Sequence, residues 1–239
     1  MIRREIVMDT DVQENLNRVQ ARIEDAAKRA DRDPKEIKLM AVTKGVEPAQ
    51  IREALAAGVT VLGESRMQEA LSKIDSFGKD VPWHFIGHLQ TNKVKQAIGT
   101  FELIHSVDSL RLAREISKWA ERLEIYQPIL VQVNLSREES KSGLAPEEVK
   151  PVIQEMAGLP GIAIQGLMTI PPVSSNPEAS RGYFRRLRFL ASEVSRWGLR
   201  GVTMEGLSMG MSDDFEVAIE EGATWVRIGT AIFGPRRDR

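Results

Sequence analysis

The chain has 239 residues, a formal net charge of −1 and no cysteine. A near-neutral surface offers no global field for nucleic acid or an anionic membrane, and the lack of cysteine excludes disulfides, thiolate metal sites and a cysteine nucleophile. No apolar run reaches the ~18–20 residues of a membrane span, and Met1–Val7 lacks the apolar core of a signal peptide, so a soluble cytoplasmic protein is expected.

Leu16, Val19, Ile23, Ala26 and Ala27 recur at helical spacing and predict a first helix from about Asp11 to Ala30. Asp33-Pro34 ends it. Strands are then predicted at Ile37–Val42, Val59–Leu62, Trp83–Ile86, Glu102–Ser106, Ile129–Asn134, Ala163–Met168, Thr203–Glu205 and Trp225–Ile228. Helical patterns lie between them, at Pro48–Ala57, Arg66–Ser76, Asn92–Ile98, Ser109–Arg122, Pro146–Gly158, Pro177–Trp197 and Asp214–Glu221. This alternation argues for βαβ units and a parallel sheet. Eight such units in a chain near the ~250 residues typical of the fold predict an α/β protein, a single (β/α)8 barrel. The first helix is then an extra element, expected to cover the barrel bottom. No linker divides the chain, so 1–239 reads as one domain, with 235–239 a frayed tail.

Lys44 follows the first strand and is itself followed by Gly45, which sets a lysine at a strand tip. In such barrels the strand tips carry the chemistry. A lysine there is a point charge for a phosphate or an amine that forms a Schiff base. The segment Thr43-Lys44-Gly45-Val46-Glu47 is not a dinucleotide-binding turn, and no P-loop motif occurs. Phosphate in a barrel commonly binds the loops after strands seven and eight. Here those are read as Gly206–Asp213, containing Ser208, Met209, Gly210, Met211 and Ser212, and as Arg227–Gly234, containing Gly229 and Thr230. Ser212 or Asp213 is a candidate N-cap for the next helix. Arg227 is either a wall residue paired to a helix or a cation in the mouth. A lysine and a phosphate site in one mouth suggest pyridoxal 5′-phosphate (PLP), with its aldehyde on Lys44. His84 and Asn134, at strand tips, are expected to line the pocket, and Met209 and Met211 are candidates to lean on the ring. Lys141 is read as a mobile charge or a second amine for transfer.

The chain resembles the pyridoxal-phosphate homeostasis proteins, which share the barrel of alanine racemase. The matching stretches are Leu39 to Lys44, Gly63-Glu64, His84 to Lys93, His105 to Asp108, Val133-Asn134 with Lys141-Ser142-Gly143, Gly166 to Met168, Leu207 to Ser212, Val226 to Gly229 and Ile232 to Gly234. The resemblance implies one barrel carrying PLP on Lys44, its phosphate held by the Leu207–Ser212 segment and the Gly229-Thr230 turn. It also implies that Arg227 faces the pyridine nitrogen, where a guanidinium leaves the ring a poor electron sink. One departure is Ser65, where the family has an asparagine near the ring.

Alanine racemase uses a second base, a tyrosine from an added β-domain. The only tyrosines here, Tyr126 and Tyr183, belong to predicted helices or their flanks. The expected function is therefore to hold, buffer or deliver PLP without robust amino-acid turnover, as a monomer, with PLP-dependent apo-enzymes as possible recipients. The alternatives are a racemase-like enzyme and a Schiff-base aldolase or isomerase acting on a sugar phosphate. His84 and His88 straddle a turn at Gly87, so their spacing does not make a metal site. Gly206-Leu207-Ser208-Met209-Gly210 spells a nucleophile elbow, but no histidine follows it.

Overall fold

A computed structural model describes residues 11–78, 80–138 and 140–235. The readings of Met1–Val7 and of the tail beyond Pro235 lie outside the described residues. The eight strands are β1 (Lys38–Val42), β2 (Leu62–Glu64), β3 (Trp83–Phe85), β4 (Leu103–Val107), β5 (Gln127–Gln132), β6 (Ile162–Met168), β7 (Val202–Met211) and β8 (Trp225–Ile228). They pair in parallel and in chain order, and β8 closes on β1. The helices are α1 (Val12–Arg29), α2 (Pro48–Ala56), α3 (Met67–Phe77), α4 (Val94–Ala97), α5 (Leu110–Arg122), α6 (Val149–Ala157), α7 (Arg181–Ser195), α8 (Phe215–Glu220) and α9 (Thr230–Phe233).

Side chains alternate across the barrel wall. Met40, Leu103, Leu130, Met168 and Trp225 form an interior cluster. Residues such as Ala41, Leu62, Phe85, Ile104, Leu207 and Val226 join a larger layer between strands and helices. This two-sided burial makes parallel strands near-continuous apolar runs, and it is why the runs were readable.

Four expectations need correction. The second strand begins at Leu62, not Val59, and continues through Gly63 and Glu64. Val59 instead closes α2 by donating to the Ala54 carbonyl, and Gly63 is needed because a Cβ there would lie 2.4 Å from Met40 Sδ. The seventh strand does not stop at Glu205; β7 runs to Met211 and includes most of the segment read as a loop. Glycines carry it across two irregular registers, with Gly166 paired to Gly206. Helix α8 starts after Asp214, whose carboxylate accepts from the Met211 N–H, so neither Ser212 nor Asp213 is its N-cap. Finally, α1 does not cover the barrel bottom. It packs at the side against α8, α9 and α2, tied by Arg22–Glu216 and Arg29–Glu220 ion pairs. Arg32, just beyond α1, donates to the Ile219 and Ala223 carbonyls at the end of α8. One more element, α9, is a single turn in what was read as loop.

Candidate functional site

The pairing of Ala41 with Ile228 sets the ends of β1 and β8 side by side. Beyond them stand Lys44 and the Gly229-Thr230 turn; a Cβ on Gly229 would lie 3.4 Å from the Val42 carbonyl oxygen. Met40 points into the barrel and Ala41 and Thr43 belong to the outer side, so alternation turns Lys44 toward the mouth. Lys44 is half-buried, and its amine makes no hydrogen bond or ion pair among the described residues.

Below the mouth runs a buried polar chain. Arg227 points inward; it donates to Ser208 Oγ at 2.8 Å and to the Thr169 carbonyl at 3.0 Å. Ser208 Oγ lies 2.9 Å from His105 Nδ1, and His105 Nε2 lies 3.0 Å from His84 Nδ1. Trp225 meets both imidazoles edge-on. Burial pulls the Arg227 guanidinium down to about 10, with Asp214 opposing, so it stays charged at neutral pH. Burial, then Lys38, drives His84 down to about 3. Burial, then the neighbouring His84 and Arg227, holds His105 far below the usual imidazole value. Both rings are neutral.

At the β8–α9 turn, the Gly229 and Ala231 N–H groups converge on Ser212 Oγ, at 3.3 and 3.2 Å. Ser212 and the Gly229-Thr230 turn are thus brought together, and the Ala231 N–H adds a donor no side-chain reading finds. Gly210 has φ +91° and sits so close to α8 that a Cβ would lie 2.6 Å from Ala218 Cβ. Met211 is half-buried at the end of β7. Met209 departs from expectation: it is fully buried in the layer between strands and helices, so it faces away from the mouth. Plain alternation accounts for this: Leu207 faces the outer layer and Ser208 the interior, so Met209 faces outward again.

His84 also departs from expectation. At 1% exposure it lies in the barrel interior rather than on the pocket wall, and its Nε2 has no partner. Asn134 does reach the mouth, beside a cavity of about 240 Å³ shared with Ile86, His88, Lys141 and Ile170. Its amide donates to the Glu138 and Lys141 carbonyls and so shapes the loop after β5. Lys141 lines the same cavity and pairs with Glu138 at 3.0 Å, so it is not a freely mobile charge. Ser65 lies in the neighbouring groove between the β2 and β3 loops, and its buried hydroxyl has no partner. Lys73 and Glu69 on α3 were missed in sequence; their i,i+4 spacing on one helix face was the available signal. No cluster of metal-binding side chains occurs among the described residues.

The donor set suits a phosphorylated aldehyde. An amine with no partner among the described residues and two converging backbone N–H groups lie at the mouth, and one inward guanidinium, Arg227, lies beneath it to balance anionic charge. Fold and site together define a (β/α)8 barrel with a lysine at the tip of its first strand and backbone N–H donors gathered at the end of its last. The family model for the alanine racemase N-terminal domain matches residues 15–237. The chain is 49% identical over 225 residues to a pyridoxal phosphate homeostasis protein of Aquifex aeolicus, covering 94% of this chain and 98% of that one. The structure of PipY from Synechococcus elongatus with PLP bound aligns with a TM-score of 0.81 and 33% identity, covering 93% of this chain and all of that one. Alanine racemase from Clostridium difficile shares the fold, with a TM-score of 0.73 and 18% identity, over 95% of this chain but 57% of its own. The chain belongs to the pyridoxal phosphate homeostasis family, built on the alanine racemase N-terminal domain.

Proposed function

We propose that this protein binds pyridoxal 5′-phosphate covalently at Lys44 and serves intracellular PLP homeostasis by holding and releasing the cofactor. The observation that carries this reading is the Lys44 amine, with no partner among the described residues, at the end of β1, the strand paired with β8, after which two N–H groups gather at Ser212. The relatives carry the same role in their names, and PipY was solved with PLP.

In this reading the Gly229 and Ala231 N–H groups, the Ser212 hydroxyl and Thr230 hold the phosphate, with Gly210 and Met211 shaping the wall. The aldehyde, when bound, supplies Schiff-base chemistry. Lys44 presents its amine to that aldehyde. Arg227 lies on the ring side, locked by Ser208 and Thr169. Its guanidinium keeps its protons, so it does not act as an acid toward the ring. Electron withdrawal into the ring is then weak, and proton abstraction from an amino acid is poorly supported. Tyr126 precedes β5 at the opposite end of the barrel and Tyr183 is on α7, so neither offers a second base at the mouth. Asn134, Lys141 and Ser65 border the opening through which apo-enzymes would receive the cofactor. The described residues contain no helix long and apolar enough to cross a membrane, and we assign the protein to the cytoplasm.

The test is an absorption spectrum of the purified protein and of Lys44→Ala, with borohydride reduction and peptide mapping. The expected result is a visible band that reduction traps on Lys44 and that the variant lacks. A colourless protein that takes up no added PLP would overturn the proposal. Vigorous racemisation or decarboxylation that depends on Lys44 would replace the carrier with an enzyme.

A further inference from the structure

The two peptide groups that flank Lys44 are held by one ion cluster on α3. Lys73, 8% exposed, donates to the Thr43 carbonyl at 2.5 Å, to Glu64 Oε1 at 2.7 Å and to Glu69 Oε1 at 2.7 Å. Those three bonds use every proton of an ammonium. Glu69 Oε1 also accepts from the Gly45 N–H at 2.6 Å. Thr43 Oγ1 donates to Glu64 Oε1 at 2.7 Å. The carbonyl before Lys44 and the N–H after it therefore end on the same pair of side chains, Lys73 and Glu69. Between them Gly45 takes φ +72°, a left-handed conformation that turns the chain away from β1.

The cluster is costly for a purely structural role. Burying an ammonium and a carboxylate carries a desolvation penalty that apolar residues of similar size avoid. Glu64 is fully buried with its second oxygen unpartnered, and burial pushes its carboxyl up against the hydrogen bonds from Lys73 and Thr43. Glu69 is less buried; although desolvation opposes it, hydrogen bonds from Lys73 and Gly45 hold its carboxyl below the ordinary value. What the cluster achieves is local: it sets the backbone on both sides of one residue.

We infer that Lys73 and Glu69 are positioning residues for Lys44, fixing the Thr43-Lys44-Gly45 turn so that the amine is presented to the barrel mouth. This rests on Lys44 as the point of cofactor attachment. Attachment joins the Lys44 nitrogen to the aldehyde carbon and releases one water, so no oxidant or reductant is involved. The cluster does not touch the cofactor; its effect passes wholly through the turn.

A double-mutant cycle tests this. PLP affinity is measured by equilibrium dialysis for the wild type, Lys73→Met, Lys44→Ala and the double variant, with thermal melts of each apo-protein. Lys73→Met is expected to weaken PLP about ten-fold when Lys44 is present, a change of about 1.4 kcal/mol. In the Lys44→Ala background, where only non-covalent contacts remain, the same change is expected to alter affinity by less than about two-fold. An equal loss in both backgrounds would make the cluster a general structural element and overturn the inference, as would no loss in either. Should Lys73→Met not fold, Glu69→Leu at the more exposed member removes the acceptor of the Gly45 N–H and carries the same cycle, with the same two outcomes. Failure of the underlying reading looks different: Lys44→Ala alone would then leave both the affinity and the reducible band unchanged.

Discussion

His84 and His105 have titration curves that burial moves out of the physiological range, and this gives the fold a pH dependence of known sign. In the unfolded chain each imidazole takes a proton near its ordinary value of about 6.5, whereas folded His84 does so only at about 3 and folded His105 well below 6.5. Between those values the unfolded state binds more protons, so stability is fully present above pH 6.5 and falls as the pH drops. Each histidine contributes a slope that approaches about 1.4 kcal/mol per pH unit. Urea unfolding of the wild type and of His84→Phe between pH 7.5 and 5 checks this. The variant is expected to lose about one histidine's share of the slope, and an unchanged slope would mean that His84 protonates freely in the fold. Lys44 was legible as a single residue because an apolar run leads into it and a glycine follows. The His84–His105 contact was not, because it depends on the register between β3 and β4, which local periodicity does not encode.

At the level of elements, the glycines of β6 and β7 decide where strands may approach. A Cβ on Gly166 would lie 1.8 Å from the Gly206 carbonyl oxygen, a backbone atom that cannot swing aside. Gly166→Ala is therefore expected to destabilise the protein by about 3 kcal/mol or more, above the usual range for overpacking, measured as a shift in the denaturation midpoint. A variant of near wild-type stability would show that β6 and β7 can separate without loss. The same glycines explain which boundaries were readable. Strands with continuous apolar runs, such as β5 and β6, were located closely. The end of β2 at Gly63-Glu64 and the extension of β7 through Gly206–Met211 were not, because their residues are poor strand formers held in place by tertiary pairing. Two-stage helices, such as the 3₁₀ turn Pro177–Ser180 leading into α7, were merged in sequence because their periodicities run together.

At the scale of the whole molecule, the barrel leaves few large apolar side chains in solvent among the described residues. Tyr126, Val173, Phe189 and Leu123 are exposed, and they fall on the start of β5, the loop after β6, the outer face of α7 and the end of α5. Apart from the neighbouring pair Leu123 and Tyr126, they stand singly, a pattern that requires no partner. We therefore expect a monomer. Sedimentation equilibrium should give the mass of one chain, and a concentration-independent dimer would contradict this. The α1 helix, bound to the side of the barrel by Arg22, Arg29 and Arg32, completes the outer ring where α8 and α9 are too short to cover β8 and β1 alone.

The hydrogen bonds from Ser208 through His105 to His84 allow only two consistent proton arrangements. Where Ser208 donates to His105 Nδ1, His105 carries its proton on Nε2 and hands it toward His84 Nδ1, so His84 is an Nε2–H tautomer as well. Where Ser208 accepts, both rings are Nδ1–H. The two imidazoles are thus locked to one tautomeric state, and reading either ring reports the other. Nitrogen-15 NMR of the two side chains should find matching tautomers at neutral pH. Occupancy of the mouth that reorients Ser208 would then register at His84, two rings deeper in the barrel, as a simultaneous exchange of both.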